Sequence, residues 1–459
     1  MLRGLLGLAA ILGIAILFSS NRGRINWRTV GFGVLLQIIF AIFILKGDAM
    51  AATFAPLGWP KAGFAFVAGL FVKFLGAVEV GSNFIFGSLG LNPGSEGSLG
   101  FFFFSQVLPT VIVFASLMSI LYYLGIMQVI VRGMAYVVRR ALGTSGPESL
   151  SVSANIFVGQ TEAPLVIKPY IERLTRSELM AVMTGGMATI AGGVLASYVA
   201  FLGERYATLH NVALEVGQQL FAEQLLGASV MAAPAALVLA KILIPETDPV
   251  SSDPATPAAD AGEATLPYAA SDEVKRSVEE AMEDEGPKNV IDAAATGAAD
   301  GLKLALNIGA MLIAFLALIA IANGILGWGA GLFGYTTSLE SIIGTVLAPI
   351  AWLVGVPSAD ITTFGSLLGT KVIANEFVAY TQLADAMGSG ALHPKTIVMA
   401  TFALCGFANL SSIGIQIGGI GPLAPSRTGE IASLGLKAVI AGMLANLMTA
   451  TIAGVLIGG

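Results

Sequence analysis

Two glutamates stand inside apolar stretches of this 459-residue sequence. Glu162 lies in the run Asn155-Ile156-Phe157-Val158-Gly159-Gln160-Thr161-Glu162-Ala163-Pro164-Leu165, and Glu376 in Gly369-Thr370-Lys371-Val372-Ile373-Ala374-Asn375-Glu376-Phe377-Val378-Ala379-Tyr380. An ionisable side chain is costly within a membrane, so one kept there reads as a ligand contact or a proton carrier. The amides and hydroxyls beside each carboxylate suit hydrogen bonding to a polar solute. Two carboxylates could also act as acid and base, with Ser411 or Ser412 as a nucleophile. That reading fails on its partners: no histidine lies near either serine, no Gly-x-Ser-x-Gly elbow occurs, and no metal-ligand spacing appears. The chain is expected not to be an enzyme. A channel built on the same segments would not concentrate its solute, whereas a coupled carrier would.

The elements that must hold these residues are membrane helices. Hydrophobic residues make up 56% of the chain and charged residues 11%, with mean hydropathy +0.83. A soluble domain carries about a quarter charged residues, so this surface is too poor in charge to face water throughout. Runs near 2–18, 29–46, 100–126, 177–203, 222–244, 302–325, 395–424 and 431–458 are long and apolar enough to span, a bilayer needing about 20 such residues. The first is read as a span and not a signal peptide, since no small-residue cleavage site stands out and another apolar run follows. The run 61–80, interrupted by Lys73 and Glu79, reads as an interfacial helix. The lone Cys405 and the two histidines, His210 and His393, cannot form a disulfide framework or a Cys/His metal cluster.

The formal charge of −6 comes from one segment. Residues 246–300 hold 14 acidic and 3 basic residues, leaving 15 acidic against 20 basic in the remainder. This stretch, rich in Pro, Ala and Ser, reads as a solvated linker between two membrane halves, with a short helix around Glu273 to Glu285. Basic residues in short loops (Arg22, Arg24, Arg28; Arg132, Arg139, Arg140; Arg427) mark one side as cytoplasmic. Alternation then puts the linker in the cytoplasm and both termini outside an inner (plasma) membrane.

Each glutamate run lies in a segment of about 25 residues whose two apolar arms are too short to cross separately, the pattern of a re-entrant hairpin. Pro164 suits the first turn of a return helix, with Glu162 near its positive end. After each hairpin comes an apolar helix with a polar string: Gly186-Met187-Ala188-Thr189-Ile190-Ala191-Gly192-Gly193, then Gly406-Phe407-Ala408-Asn409-Leu410-Ser411-Ser412-Ile413. Interfacial helices near 127–142 and 339–355 precede the hairpins. Three crossings separate the hairpins, so the second unit would be inverted relative to the first. Inverted repeats with discontinuous helices are the signature of secondary transporters. The expected architecture is an all-α polytopic membrane protein of about eight transmembrane helices and two opposed re-entrant hairpins. Its parts would be N-terminal scaffold spans (1–126), a first repeat (127–245), the linker (246–300), a connecting span (301–338) and a second repeat (339–459).

The strings Gly159 to Leu165, Asn375 to Tyr380 and Cys405-Gly406-Phe407-Ala408-Asn409 closely resemble the signatures of the concentrative nucleoside transporter family. So do Gly97-Ser98-Leu99-Gly100-Phe101 and Val107-Leu108-Pro109. The resemblance runs from Leu2 to Gly459, and the acidic insert is its main departure. It implies a homotrimer with a mobile transport domain inside a trimeric scaffold, importing nucleosides by sodium symport through alternating access. It also implies that Gln160, Thr161 and Glu162 face the base and that Glu376, Asn409 and Ser412 hold the ribose hydroxyls. Phe407 and Val194 would pack beside the ligand. For sodium the resemblance points to the side chains of Asn155 and Thr189 and the carbonyls of Val158 and Ile190. Proton coupling, with Glu162 or Glu376 as carrier, and a carrier of another small polar solute are the alternatives. Membrane lipid and nucleoside are the expected partners, and nucleic acid is not.

Other conspicuous residues read more plainly. Lys168 snorkels from the hairpin base, Cys405 packs as a small hydrophobe, and Trp27, Trp59, Trp328 and Trp352 anchor span ends at the interface. Lys371 would pair with an acidic neighbour.

Overall fold

The computed structural model describes residues 2–93, 95–248 and 287–458. Among them the regular structure is helical throughout, as expected of an all-α membrane protein. The principal helices are α1 (Leu2–Leu17), α2 (Trp27–Thr53), α3 (Trp59–Phe86), α4 (Leu108–Tyr123), α5 (Ile126–Leu142), α6 (Gly146–Ala154), α7 (Arg176–Ala188) and α8 (Gly192–His210). They continue with α9 (Leu214–Leu243), α10 (Val290–Gly331), α11 (Leu339–Leu353), α12 (Ile361–Ile373), α13 (Glu376–Gly388), α14 (Pro394–Leu404), α15 (Ser411–Ile420) and α16 (Thr428–Ile457).

Local chemistry starts these helices where the sequence allows. The Asn26 carboxamide accepts from the Arg28 and Thr29 amides at the head of α2, and Asn289 does the same for Ile291 and Asp292 in α10. Thr175 and Glu178 close a capping box at α7, and at α6 the Ser145 amide donates to the Glu148 carboxylate. Gly125 and Gly143, both left-handed, bracket α5. That helix buries Met127, Val131, Ala135, Val138 and Leu142 on one stripe, as an amphipathic helix must.

Burial sorts the helices into two groups. In the most apolar stretches of 176–210 and 214–243, 94% of residues are inside the protein, against 11% in 290–331 and 17% in 55–89. So α7, α8, α9 and α16 form the centre, while α3 and α10 present Phe66, Phe84, Ile85, Ile313, Leu318 and Ile321 outward. In water such faces would be a liability, and in a bilayer they are the expected surface. The peripheral helix α10 lies chiefly along α4, and the central α9 packs on α2, α8 and α16.

The structure revises several boundaries. Among the described residues seven segments are long and apolar enough to cross, namely 27–53, 55–89, 103–123, 176–210, 214–243, 290–331 and 425–457. The stretch read as a short interfacial helix at 61–80 is one continuous 28-residue helix, so Lys73 and Glu79 do not interrupt it. The expected span 395–424 is not one helix: α14 ends at Leu404 and α15 begins at Ser411. The span 177–203 is likewise divided between α7 and α8. Helix α10 begins at Val290, so the end of the acidic segment belongs to that helix and not to a linker. The expected helix at Glu273 to Glu285 lies outside the described residues. The four tryptophans are exposed at or near helix ends, as anchors would be.

Candidate functional site

Both polar runs occupy turns between short helical arms. Helix α6 gives way at Asn155, and after a non-helical stretch the chain returns as a 3-10 segment, Ala163–Arg173, which packs back on α6. The arms α12 and α13 pack on each other with only Ala374 and Asn375 between them. Asn375 starts α13 by accepting from the Val378 amide at 2.9 Å. The return arm after Glu162 is therefore not the α-helix expected from Pro164. A second proline, Pro169, and the non-helical backbone at Ile167 prevent an uninterrupted α-helical ladder. Glu162 stands at its N-cap without a side-chain capping bond and is exposed, its carboxylate folded over Gly159.

Each turn is tied to the break in the helix that follows it. The Gly192 amide donates to the Phe157 carbonyl at 3.1 Å, joining the first turn to the gap between α7 and α8. The Leu410 amide donates to the Val372 carbonyl at 3.1 Å, joining the second turn region to the gap between α14 and α15. The two breaks also meet each other. Gly406, at φ +105°, lies so close to the end of α7 that a Cβ there would come within 2.5 Å of the Ala188 carbonyl oxygen. Glycine is required both by that contact and by the positive φ.

Around this junction most of the expected substrate residues converge. Gln160 Nε2 donates to Ser412 Oγ at 3.1 Å, linking the first turn to α15. Asn409 Nδ2 donates to Glu376 Oε2 at 2.9 Å, and the Tyr198 hydroxyl donates to Glu376 Oε1 at 3.2 Å. Asn409 Oδ1 in turn accepts from the Ser412 amide at 2.8 Å and the Ser411 hydroxyl at 2.7 Å. Gln160, Glu376, Asn409 and Ser412 are all buried. Gln160 Oε1 is buried and has no hydrogen-bond partner among the described residues. Thr161 is half-buried with its methyl against Gly419, Val194 is buried in the first turn of α8, and Phe407 is half-buried in the second break.

Sequence reasoning passed over Tyr198, Gln416 and Asn446. Gln416 Nε2 donates to the Met183 carbonyl at 2.9 Å, and Asn446 Nδ2 to the Ala188 carbonyl at 2.7 Å. The signal was present, since an amide or phenol inside an apolar span needs a partner, but nothing in the sequence says which one. Lys371 corrects the reading that paired it with an acid. Its Nζ donates to the Ala403 carbonyl at 2.9 Å, the Cys405 carbonyl at 3.1 Å and Asn446 Oδ1 at 2.8 Å, which uses all three of its protons.

The four expected ion ligands fall together at the first turn and first break. Asn155 is buried, its Nδ2 donating to the Ser151 carbonyl at 3.1 Å while its Oδ1 has no partner. Thr189 caps α7, and its hydroxyl donates to the Gly185 carbonyl at 2.8 Å, leaving the oxygen's lone pairs free to accept. Val158 and Ile190 lie in the two non-helical stretches, where carbonyls are released from helical bonding. An all-oxygen set with one orphaned buried acceptor fits a hard monovalent cation.

Three family models match the chain. One described as Na+ dependent nucleoside transporter N-terminus covers residues 6–89, one described as nucleoside recognition covers 104–205, and one described as Na+ dependent nucleoside transporter C-terminus covers 224–454. An uncharacterized transporter of Haemophilus influenzae is 43% identical over 462 residues, spanning 100% of this chain and 98% of that protein. Nucleoside permease NupC of Helicobacter pylori is 39% identical over 457 residues, spanning 98% of this chain and 97% of that one. The solved structure of CNTnw in an inward-facing substrate-bound state superposes with a TM-score of 0.82 at 40% identity, covering 100% of this chain and 98% of that one.

Proposed function

The chain belongs to the sodium-dependent, concentrative nucleoside transporter family, and from that premise we propose that it imports nucleosides by sodium symport through alternating access. It is a multi-pass membrane transporter and not an enzyme. The observation that carries the proposal is the buried group Gln160–Ser412 and Tyr198–Glu376–Asn409, to which both turns, the second helix break and α8 contribute.

In this reading the internal hydrogen bonds hold the places of ligand hydroxyls. Glu376 accepts from Asn409 and Tyr198, and a pair of vicinal ribose hydroxyls could be received by the same carboxylate. Gln160, with one acceptor unpartnered among the described residues, and Thr161 offer donor and acceptor to a base edge. Glu162 faces the base from the exposed lip of the turn, while Val194 and Phe407 supply apolar contact. Ser412 orders against Asn409 and would complete the ribose side. Asn155, Thr189 and the carbonyls of Val158 and Ile190 would hold sodium, whose charge would favour the first break's carbonyl-rich end.

The two polar runs are re-entrant hairpins of an inverted repeat, each with one break at mid-membrane. The chemically similar ties Gly192–Phe157 and Leu410–Val372 support this. The turns and breaks would move as a transport domain against a scaffold of the peripheral helices, and CNTnw structures described as inward-facing, outward-facing and intermediate give alternating access a structural precedent in a relative. The apolar faces of α3 and α10 suit lipid and the interfaces of a homotrimer, with both termini outside the cell.

The test is uptake of labelled uridine into proteoliposomes with an inward sodium gradient, or with potassium replacing sodium. Accumulation above equilibrium with sodium alone is expected. Accumulation driven only by a proton gradient would overturn the ion, and no uptake under either gradient would overturn the substrate.

A further inference from the structure

A fully buried lysine without a carboxylate in ion-pair contact among the described residues needs an explanation, since the Glu376 carboxylate acts on it only through space. The Lys371 side chain is 0% exposed, and its ammonium is met by three neutral oxygens at 2.8–3.1 Å. Burying an ammonium is costly unless its solvation shell is replaced. Two of the replacing oxygens are the carbonyls of Ala403 and Cys405, the last turn and C-cap of α14. A helix C-terminus carries unsatisfied carbonyls and the negative end of the helix dipole, so it favours a cation there. The third oxygen belongs to Asn446, whose amide is oriented without ambiguity: lysine can only donate and the Ala188 carbonyl can only accept. Asn446 therefore joins the ammonium to the last residue of α7, immediately before Thr189.

The two breaks are thus closed in parallel ways. At the first, the C-cap residue of α7 belongs to the oxygen set proposed for a mobile ion. At the second, the C-cap residue of α14 is already bonded to an ammonium. We propose that Lys371 is a tethered cation, a positioning residue that does at the second break what a bound ion does at the first. Its charge fixes the end of α14 and, through the following loop, sets Asn409 and hence Glu376. The parallel with the first break rests on the ion reading given above, while the role of the ammonium at the second rests on its own three bonds. A consequence is that the second break needs no mobile ion, because its cation is covalently supplied.

Two substitutions separate charge from bulk. Lys371→Met removes the ammonium and keeps most of the stem, whereas Lys371→Ala removes the charge and leaves space that a small ammonium can enter. Binding of labelled uridine to each purified protein is measured at saturating sodium, with methylammonium chloride or an equal concentration of choline chloride. Melting temperatures are recorded with the same two salts in the absence of uridine and sodium. We expect both variants to bind about tenfold or more weakly, the scale of a lost charged hydrogen bond. Methylammonium should restore about threefold or more to Lys371→Ala and nothing to Lys371→Met. Native-like binding by Lys371→Met, or equal indifference of both variants to methylammonium, would overturn the proposal. Where a variant binds no uridine, the melting data decide. A rise with methylammonium confined to Lys371→Ala supports the tethered cation, and identical shifts in both variants reject it. This melting comparison needs neither uridine nor sodium, so it separates failure here from failure of the transport reading.

Discussion

The side chains at the junction carry different parts of the chemistry, and their substitutions should fail differently. Glu376 is the acceptor for two buried donors, Asn409 and Tyr198. Glu376→Gln keeps the shape but removes the charge and replaces one acceptor oxygen by a donor, so only one of the two positions can still accept. A hydrogen bond to a charged group contributes about 1.5–3 kcal/mol, so uptake efficiency should fall about tenfold to a hundredfold with insertion and yield unchanged. Normal uptake by this variant would remove Glu376 from the ribose side. Asn155 differs, because its Oδ1 has nothing to bond. Asn155→Ala should raise the sodium concentration for half-maximal uptake while sparing the rate at saturating sodium, and an unshifted sodium curve would take Asn155 out of the ion set.

At the scale of elements, function depends on helices that stop in the middle. Helix α7 stops at Ala188 and α14 at Leu404, and the chain resumes helix only after three and six residues, respectively. Gly406 lets the second gap fold against the end of the first, with its positive φ and its 2.5 Å virtual contact to the Ala188 carbonyl. Gly406→Ala must either shift α7 or leave the left-handed region, at a cost on the order of 1–3 kcal/mol. We expect a lower melting temperature together with loss of both uridine and sodium affinity, since both sites share this contact. Loss of uridine affinity alone, measured by equilibrium binding, would show that the breaks are not coupled through Gly406.

For the whole molecule the sorting of burial is the informative feature. The central helices α7, α8 and α9 are almost wholly enclosed, while α3 and α10 expose large apolar side chains. A moving core needs a static surround, and a surround that is apolar on its outer face can meet lipid or another copy of itself. The proposed homotrimer is tested by native mass spectrometry of the detergent-purified protein, which should report a trimer. A monomer that still accumulates uridine after reconstitution would show that the scaffold works without assembly.

Composition and the two glutamate runs already determined a great deal. A chain with 11% charged residues cannot be covered by water, and carboxylates kept inside its apolar runs mark a site. Helix identity and the helices at 126–142 and 339–353 were legible for that reason, since each depends on local patterning, whereas the candidate site residues beyond the two glutamates were proposed from the family resemblance. What tertiary structure alone decided is partnership. Lys371 seemed to need an acid and instead found two carbonyls and Asn446, which come from α14 and α16. Tyr198 drew no reading from the sequence, and only packing brought its hydroxyl to Glu376, 178 positions away. The return arm after Glu162 proved to be 3-10, and the span at 395–424 proved to be two helices. Hydropathy measures transfer of a segment into lipid and is blind to a break whose freed carbonyls are satisfied by distant donors. Which donors those are is set only when the chain is packed.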